Sequence, residues 1–95
     1  MTEIFKAIGD STRQQILVLL EQGPKTVTEI VEKFALAQPT ISRHLAVLRQ
    51  AGLVESERQG QHVVYSLRES TINRLCARFF GQFSCCAEIF GKKDS

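Results

Sequence analysis

Apolar positions along this chain fall first into helical spacing, then into alternation, then into helical spacing again. Ile4, Phe5 and Ile8 predict a short first helix closed by Gly9. Asp10-Ser11-Thr12 offers a cap for a second helix, whose buried side is Ile16, Leu17, Leu19 and Leu20 and which runs to about Gln22. Gly23-Pro24 breaks it. Thr26-Val27-Thr28-Glu29 fits a capping box, with a hydroxyl at the cap and a carboxylate three residues on, and opens a third helix that buries Ile30, Val31 and Phe34. Residues 35–37 read as a tight turn.

The next stretch, residues 38–53, organises the rest. Ile41, Leu45 and Leu48 recur at i, i+4 and i+7, one apolar stripe on a helix. At about 100° per residue the opposite side carries Pro39, Arg43 and Ala46, flanked by Thr40 and Ser42. Pro39 suits a first turn, where a missing N–H costs nothing, and Ala51-Gly52 supplies the stop. Small residues around one guanidinium let a helix approach closely and contact phosphates and base edges. This is the pattern of a recognition helix; on its own it also fits a core helix with a polar side.

Past Gly52 the period changes to two. Residues 53–58 and 62–67 are β-type segments joined by Gln59-Gly60-Gln61, and Val63, Tyr65 and Leu67 alternate with Val64 and Ser66. The polar tip, with an arginine and a histidine beside it, suits a DNA backbone or an ordinary surface turn. Ser70 is placed to cap a last helix that sets Ile72, Leu75, Cys76, Phe79 and Phe83, with Cys86 and Phe90 beyond them, on one face. Four of the six phenylalanines lie between positions 79 and 90. So small a domain does not readily cover that aromatic surface itself, so it is read as a dimer interface. Packing on the first helix is the alternative.

The order predicts a mainly α fold with a small β-hairpin wing: a single winged helix-turn-helix domain over residues 1–95, dimeric through its terminal helices. Its 95 residues make one domain that buries only about 60–65% of its unfolded surface, which favours a partner subunit. No apolar run approaches the ~18 residues of a membrane span, and Met1-Thr2-Glu3 lacks a signal peptide's basic start, so a cytoplasmic protein with no membrane partner is expected. The net charge of +2 is unevenly spread. Residues 1–37 carry four cations against five acids; residues 38–68 carry four arginines against Glu55 and Glu57. Phosphate binding per subunit is therefore moderate and gains from pairing.

The chain resembles the ArsR/SmtB family of small bacterial repressors. The resemblance rests on Phe5-Lys6-Ala7-Ile8-Gly9-Asp10-Ser11-Thr12-Arg13, Thr28-Glu29-Ile30, the run from Thr40-Ile41-Ser42-Arg43-His44-Leu45 to Gly52-Leu53-Val54, and Gly60-Gln61-His62-Val63-Val64-Tyr65-Ser66-Leu67. It covers roughly residues 3 to 83. It implies a homodimer bound to a palindromic double-stranded operator and released by an effector. It implies DNA-facing positions at Gln38, Pro39, Thr40, Ser42 and Arg43, and in the wing at Arg58, Gln61 and His62. His44, between core and DNA face, is either a contact or a structural group.

Two of the family's metal sites are missing. Where the arsenic- and cadmium-type site has Cys-Val-Cys-Asp-Leu, this chain has Thr26-Val27-Thr28-Glu29-Ile30; the last helix lacks the Asp and His of the zinc-type site. There remain Cys76, Cys85 and Cys86. Thiolates favour thiophilic ions, and some repressors of this family carry arsenic thiols near the C-terminus, adjacent pairs included. The expected effector is thus As(III) or Sb(III), as arsenite, antimonite or methylarsenite, at Cys85 and Cys86, with Cys76 a third ligand or a small core residue. On a continuous helix Cys76 stands about 15 Å from Cys86, so a shared ion needs a bend near Gly81 or an antiparallel partner helix. Thiol-based redox or persulfide sensing is the rival reading. The fold itself requires no cofactor. No Cys-x-x-Cys, phosphate-cradling glycine loop or acid pair points to an enzyme, and a winged helix acting as a protein-interaction module is the third class.

Overall fold

Local signals set the first four helices. The computed structural model describes residues 2–87 and Ile89. Helix α1 (Thr2–Ile8) is followed by Gly9, and Asp10 caps α2 (Ser11–Leu20), its carboxylate accepting from the Arg13 main-chain N–H at 3.0 Å. That bond satisfies one of the donors a helix start leaves free. The chain reverses at Gly23, whose φ of 136° favours glycine. In α3 (Val27–Lys33) both halves of the expected capping box form: Thr26 Oγ1 accepts from Glu29 N–H at 3.1 Å, and Glu29 Oε1 accepts from Thr26 N–H at 2.8 Å. Helix α4 (Gln38–Gln50) has Pro39 in its first turn and stops before Gly52, at φ 81°.

The hairpin forms with a shorter turn than expected. Strands β2 (Val54–Gln59) and β3 (His62–Leu67) pair antiparallel from Val54↔Leu67 to Gln59↔His62, so Gln59 belongs to the ladder and only Gly60 and Gln61 form the tip. A third strand was not foreseen. The two residues of β1 (Lys25–Thr26) pair with Tyr65 and Val64, giving a sheet in the order β1-β3-β2. Two residues carry no alternation, and their partners lie 40 and 38 positions on, so periodicity has nothing to detect.

The last helix departs most from expectation. Helix α5 (Glu69–Phe79) begins after Arg68, with no side-chain bond at its cap, so Ser70 lies inside the first turn instead of capping it. It ends at Phe79, passes through one 3₁₀ turn (Phe80–Gln82) and leaves Phe83 extended. The single face through Phe83 and Cys86 is therefore broken; Phe90 lies outside the described residues. Gly81 occupies the tightened turn, where glycine's backbone freedom weakens further helix by about 1 kcal/mol relative to alanine.

The core lies around α4. Ile41, Leu45 and Leu48 are fully buried and pack with Ala7, Ile16, Leu19, Leu20, Ile30, Leu53 and Val54. Burying each large aliphatic side chain stabilises by about 1.5–3 kcal/mol. In α5 only Leu75 and Thr71 are buried. Among the described residues no helix is long and apolar enough to cross a membrane.

Candidate nucleic-acid interface

With the apolar stripe of α4 sealed in the core, its other side is presented outward. Gln38, Pro39, Ser42, Arg43 and Ala46 are exposed and Thr40 is half-buried. No acidic residue occurs in the helix, and Arg43 makes no ion pair among the described residues, so its guanidinium is free to meet an anion. At the far end, Arg49 Nη1 donates to Ser56 Oγ at 3.1 Å and ties α4 to the hairpin.

The wing residues Arg58, Gln61 and His62 are exposed as well. The structure brings Gln61 and His62 to the start of α4: with Gln38, Thr26 and Thr28 they line a cleft of about 170 Å³. Arg58 does not line it. Thr28, an exposed hydroxyl in this cleft, was not named as a DNA-facing candidate; its string was read for its cap, for the family resemblance and for the thiolates it lacks. Beside it the Glu29 carboxyl is held below its ordinary value, first by the Thr26 main-chain hydrogen bond and further by the charges of Lys25 and His62.

His44 turns away from this face. Its Nδ1 lies 3.2 Å from Arg13 Nη1 and 3.9 Å from Asp10 Oδ2, with the side chain 18% exposed. Arg13 was noted only as part of the resemblance, yet it makes the densest polar cluster here. Its Nε donates to Ala7 O at 2.6 Å and its Nη2 to Lys6 O at 3.1 Å, two carbonyls at the end of α1, of which Lys6 O also accepts from the Gly9 N–H at 3.3 Å. The Asp10 carboxyl is held low chiefly by the Arg13 main-chain N–H, with smaller help from the His44 and Arg13 charges and partial burial opposing.

At the opposite end, Phe79 packs edge-to-face on Phe5, Phe80 and Phe83 with ring centroids 5.2, 5.1 and 5.5 Å apart. Phe5 and Phe80 are each 39% exposed and Phe83 46%. An open groove of about 450 Å³ runs along Phe5, Arg78, Phe79 and Gln82.

Of the three cysteines, two are brought together. Cys85 Sγ and Cys86 Sγ are 3.6 Å apart, Cys85 exposed and Cys86 half-buried. The hydrogen bond to Cys85 pushes the Cys86 thiol up, and burial adds to this. Cys76 sits half-buried in α5, and among the described residues no three His, Cys, Asp or Glu side chains converge where they could hold a metal.

The pattern describing bacterial regulatory proteins of the arsR family matches residues 10–56. The transcriptional repressor SdpR of Bacillus subtilis (strain 168) is 43% identical over 72 residues, 76% of this chain and 80% of that protein. The arsenical resistance operon repressor of Escherichia coli (strain K12) is 42% identical over 66 residues, 68% of this chain and 56% of that protein. Among solved structures, an ArsR family transcriptional regulator superposes with a TM-score of 0.77 at 28% identity, covering 85% of this chain and 84% of its own.

Proposed function

The chain belongs to the arsR family of bacterial regulatory proteins, DNA-binding transcriptional regulators and not enzymes; from that premise we propose that it is a homodimeric repressor released from its operator by a thiophilic metalloid. A second copy covers the aromatic surface of Phe5, Phe79, Phe80 and Phe83, since apolar patches of this kind mark interaction surfaces. The pair then presents two α4 helices to successive major grooves about one DNA turn apart. Arg43 meets a guanine edge or a phosphate, Gln38, Thr40 and Ser42 hydrogen-bond beside it with Pro39 in contact, and Arg58, Gln61 and His62 follow the backbone from the wing.

One observation carries the effector reading: two thiols 3.6 Å apart at an accessible end of the chain. Paired sulfurs suit soft ions such as As(III) or Sb(III), which displace both thiol protons. The Escherichia coli relative is an arsenical resistance operon repressor, which supports the class of ligand. Cys76, apart from the pair, is then a third ligand only if the partner subunit supplies it.

The same proximity favours redox sensing as the second reading. Peroxide would take two electrons and two protons from the pair, leaving a Cys85–Cys86 disulfide and two waters.

Fluorescence anisotropy with DNA from just upstream of the gene, titrated with arsenite under reducing conditions, tests both. Release by arsenite that vanishes in Cys85→Ser/Cys86→Ser supports the metalloid switch. Binding that ignores arsenite and responds to peroxide or polysulfide supports the redox sensor. No specific binding to any upstream DNA overturns the repressor reading.

A further inference from the structure

We propose that Arg13 is a positioning residue for operator binding, acting through His44 to set the rotation of α4. The role rests on the docking of α4 proposed above and adds what holds that helix in pose. Each of the three guanidinium nitrogens has its own partner: Nε the Ala7 carbonyl, Nη2 the Lys6 carbonyl, Nη1 the imidazole Nδ1. A planar fork with fixed donor directions can join the end of α1, the start of α2 and the middle of α4, which a single ammonium cannot do. His44 is next to Arg43, on the flank of α4 between its sealed stripe and its groove side. A bond at that flank adds a directional polar restraint on turning about the helix axis to the one that the buried stripe supplies.

The bond has a chemical condition. A guanidinium only donates, so Nδ1 accepts only while it keeps its lone pair, with the ring neutral and its proton on Nε2. Protonating the ring sets two cations 3.2 Å apart, with Asp10 Oδ2 at 3.9 Å the carboxylate at hand. The groups facing the ring are Asp10 and Arg13 from the start of α2. From α1 come main-chain carbonyls; the side chain of Lys6 is exposed, as are Glu29, Glu32 and Lys33 of α3 and the neighbouring Arg43. The Asp10 carboxyl is itself held low, chiefly by the Arg13 main-chain N–H. Protonating the ring therefore breaks the bond to Arg13 and loosens α4, and operator affinity is expected to fall on acidification.

Operator affinity of the full-length protein, measured against pH and salt with thermal midpoints alongside, tests the role. Arg13→Gln is expected to bind about tenfold more weakly with its salt dependence unchanged, as loss of a charge-assisted bond without loss of a phosphate contact requires. His44→Gln supplies an amide oxygen to Arg13 and cannot titrate; it is expected to keep the neutral-pH affinity and to flatten the acid decline. His44→Leu removes the acceptor and is expected to match Arg13→Gln, the double variant being no weaker than either single one. Arg13→Lys is expected to rescue only in part. A salt slope reduced by about one in Arg13→Gln would make it a phosphate contact and overturn the proposal. So would a His44→Gln protein that keeps the wild-type acid decline, or additive losses in the double variant. Should Arg13→Gln fail to fold, the two His44 variants decide. Arg43→Ala, run in parallel, separates the readings: unchanged affinity there removes the docking of α4 and the positioning role with it, whereas weakened binding there with unaffected Arg13 and His44 variants removes the positioning role alone.

Discussion

The two ends of this molecule close their apolar surfaces in different ways. Around α4, Ile16, Ile30, Ile41, Leu45, Leu48 and Leu53 are all fully buried, and each helix start from α2 to α4 has its cap or an N-terminal proline. Around α5, one leucine is buried, three aromatic rings remain 39–46% exposed, and two thiols sit at the end of a broken helix. The first end is finished within one chain, so its outward face is arranged before any ligand arrives. The second is unfinished, and exposed rings gain only when something covers them. On the proposed function, the fixed part lies where DNA would be read and the open part where a second copy and an effector would bind.

Four substitutions break or sharpen that contrast. Leu45→Ala opens a cavity at the centre of the finished end and is expected to cost about 3 kcal/mol in urea unfolding, with operator binding lost in proportion. Phe83→Asp puts a charge on the unfinished end. Burying it unpaired in a dimer interface is expected to weaken pairing by about 2–3 kcal/mol, seen by sedimentation equilibrium, while the single chain stays folded. A dimer that survives this change would move the pairing surface elsewhere. Thr26→Ala removes the hydroxyl cap of α3 and is expected to cost about 1 kcal/mol in the same urea titration.

The smallest effect is one of pH. Glu29 is held below its ordinary value of 4.5 in the folded chain, so its share of stability is present above that pH and is lost as pH falls through the depressed folded value. Glu29→Gln keeps an acceptor for the Thr26 N–H but does not titrate. Its unfolding midpoint is expected to lie slightly below the native one at neutral pH and to converge with it as pH falls below about 4.5.

What was legible in the sequence is what local chemistry decides. The stripe of Ile41, Leu45 and Leu48 gave α4 and its outward residues, and Thr26 with Glu29 gave the start of α3, because both patterns lie within a turn or two of chain. The alternation of Val63, Tyr65 and Leu67 likewise gave the hairpin. The misses have long-range causes. Strand β1 exists only through Tyr65 and Val64, and the partners of Arg13 are two carbonyls and a histidine 31 positions away. A carbonyl leaves no mark in a sequence. The end of α5 failed for the opposite reason: apolar spacing continued past Phe79, and one glycine in a tightened turn outweighed it.

Thr26 belongs to two elements at once, pairing with Val64 in the sheet while capping α3 through Oγ1. Exchange of parts between related regulators is constrained by that double membership. A hairpin transplanted as residues 54–67 alone would arrive without the short strand that flanks its middle strand, and any side-chain mismatch at Val64 would be felt at the root of α3. The transplantable unit is the hairpin together with residues 25–26. Gly60 and Gln61, which pair with nothing in the ladder, are where length can be added without carrying anything else along.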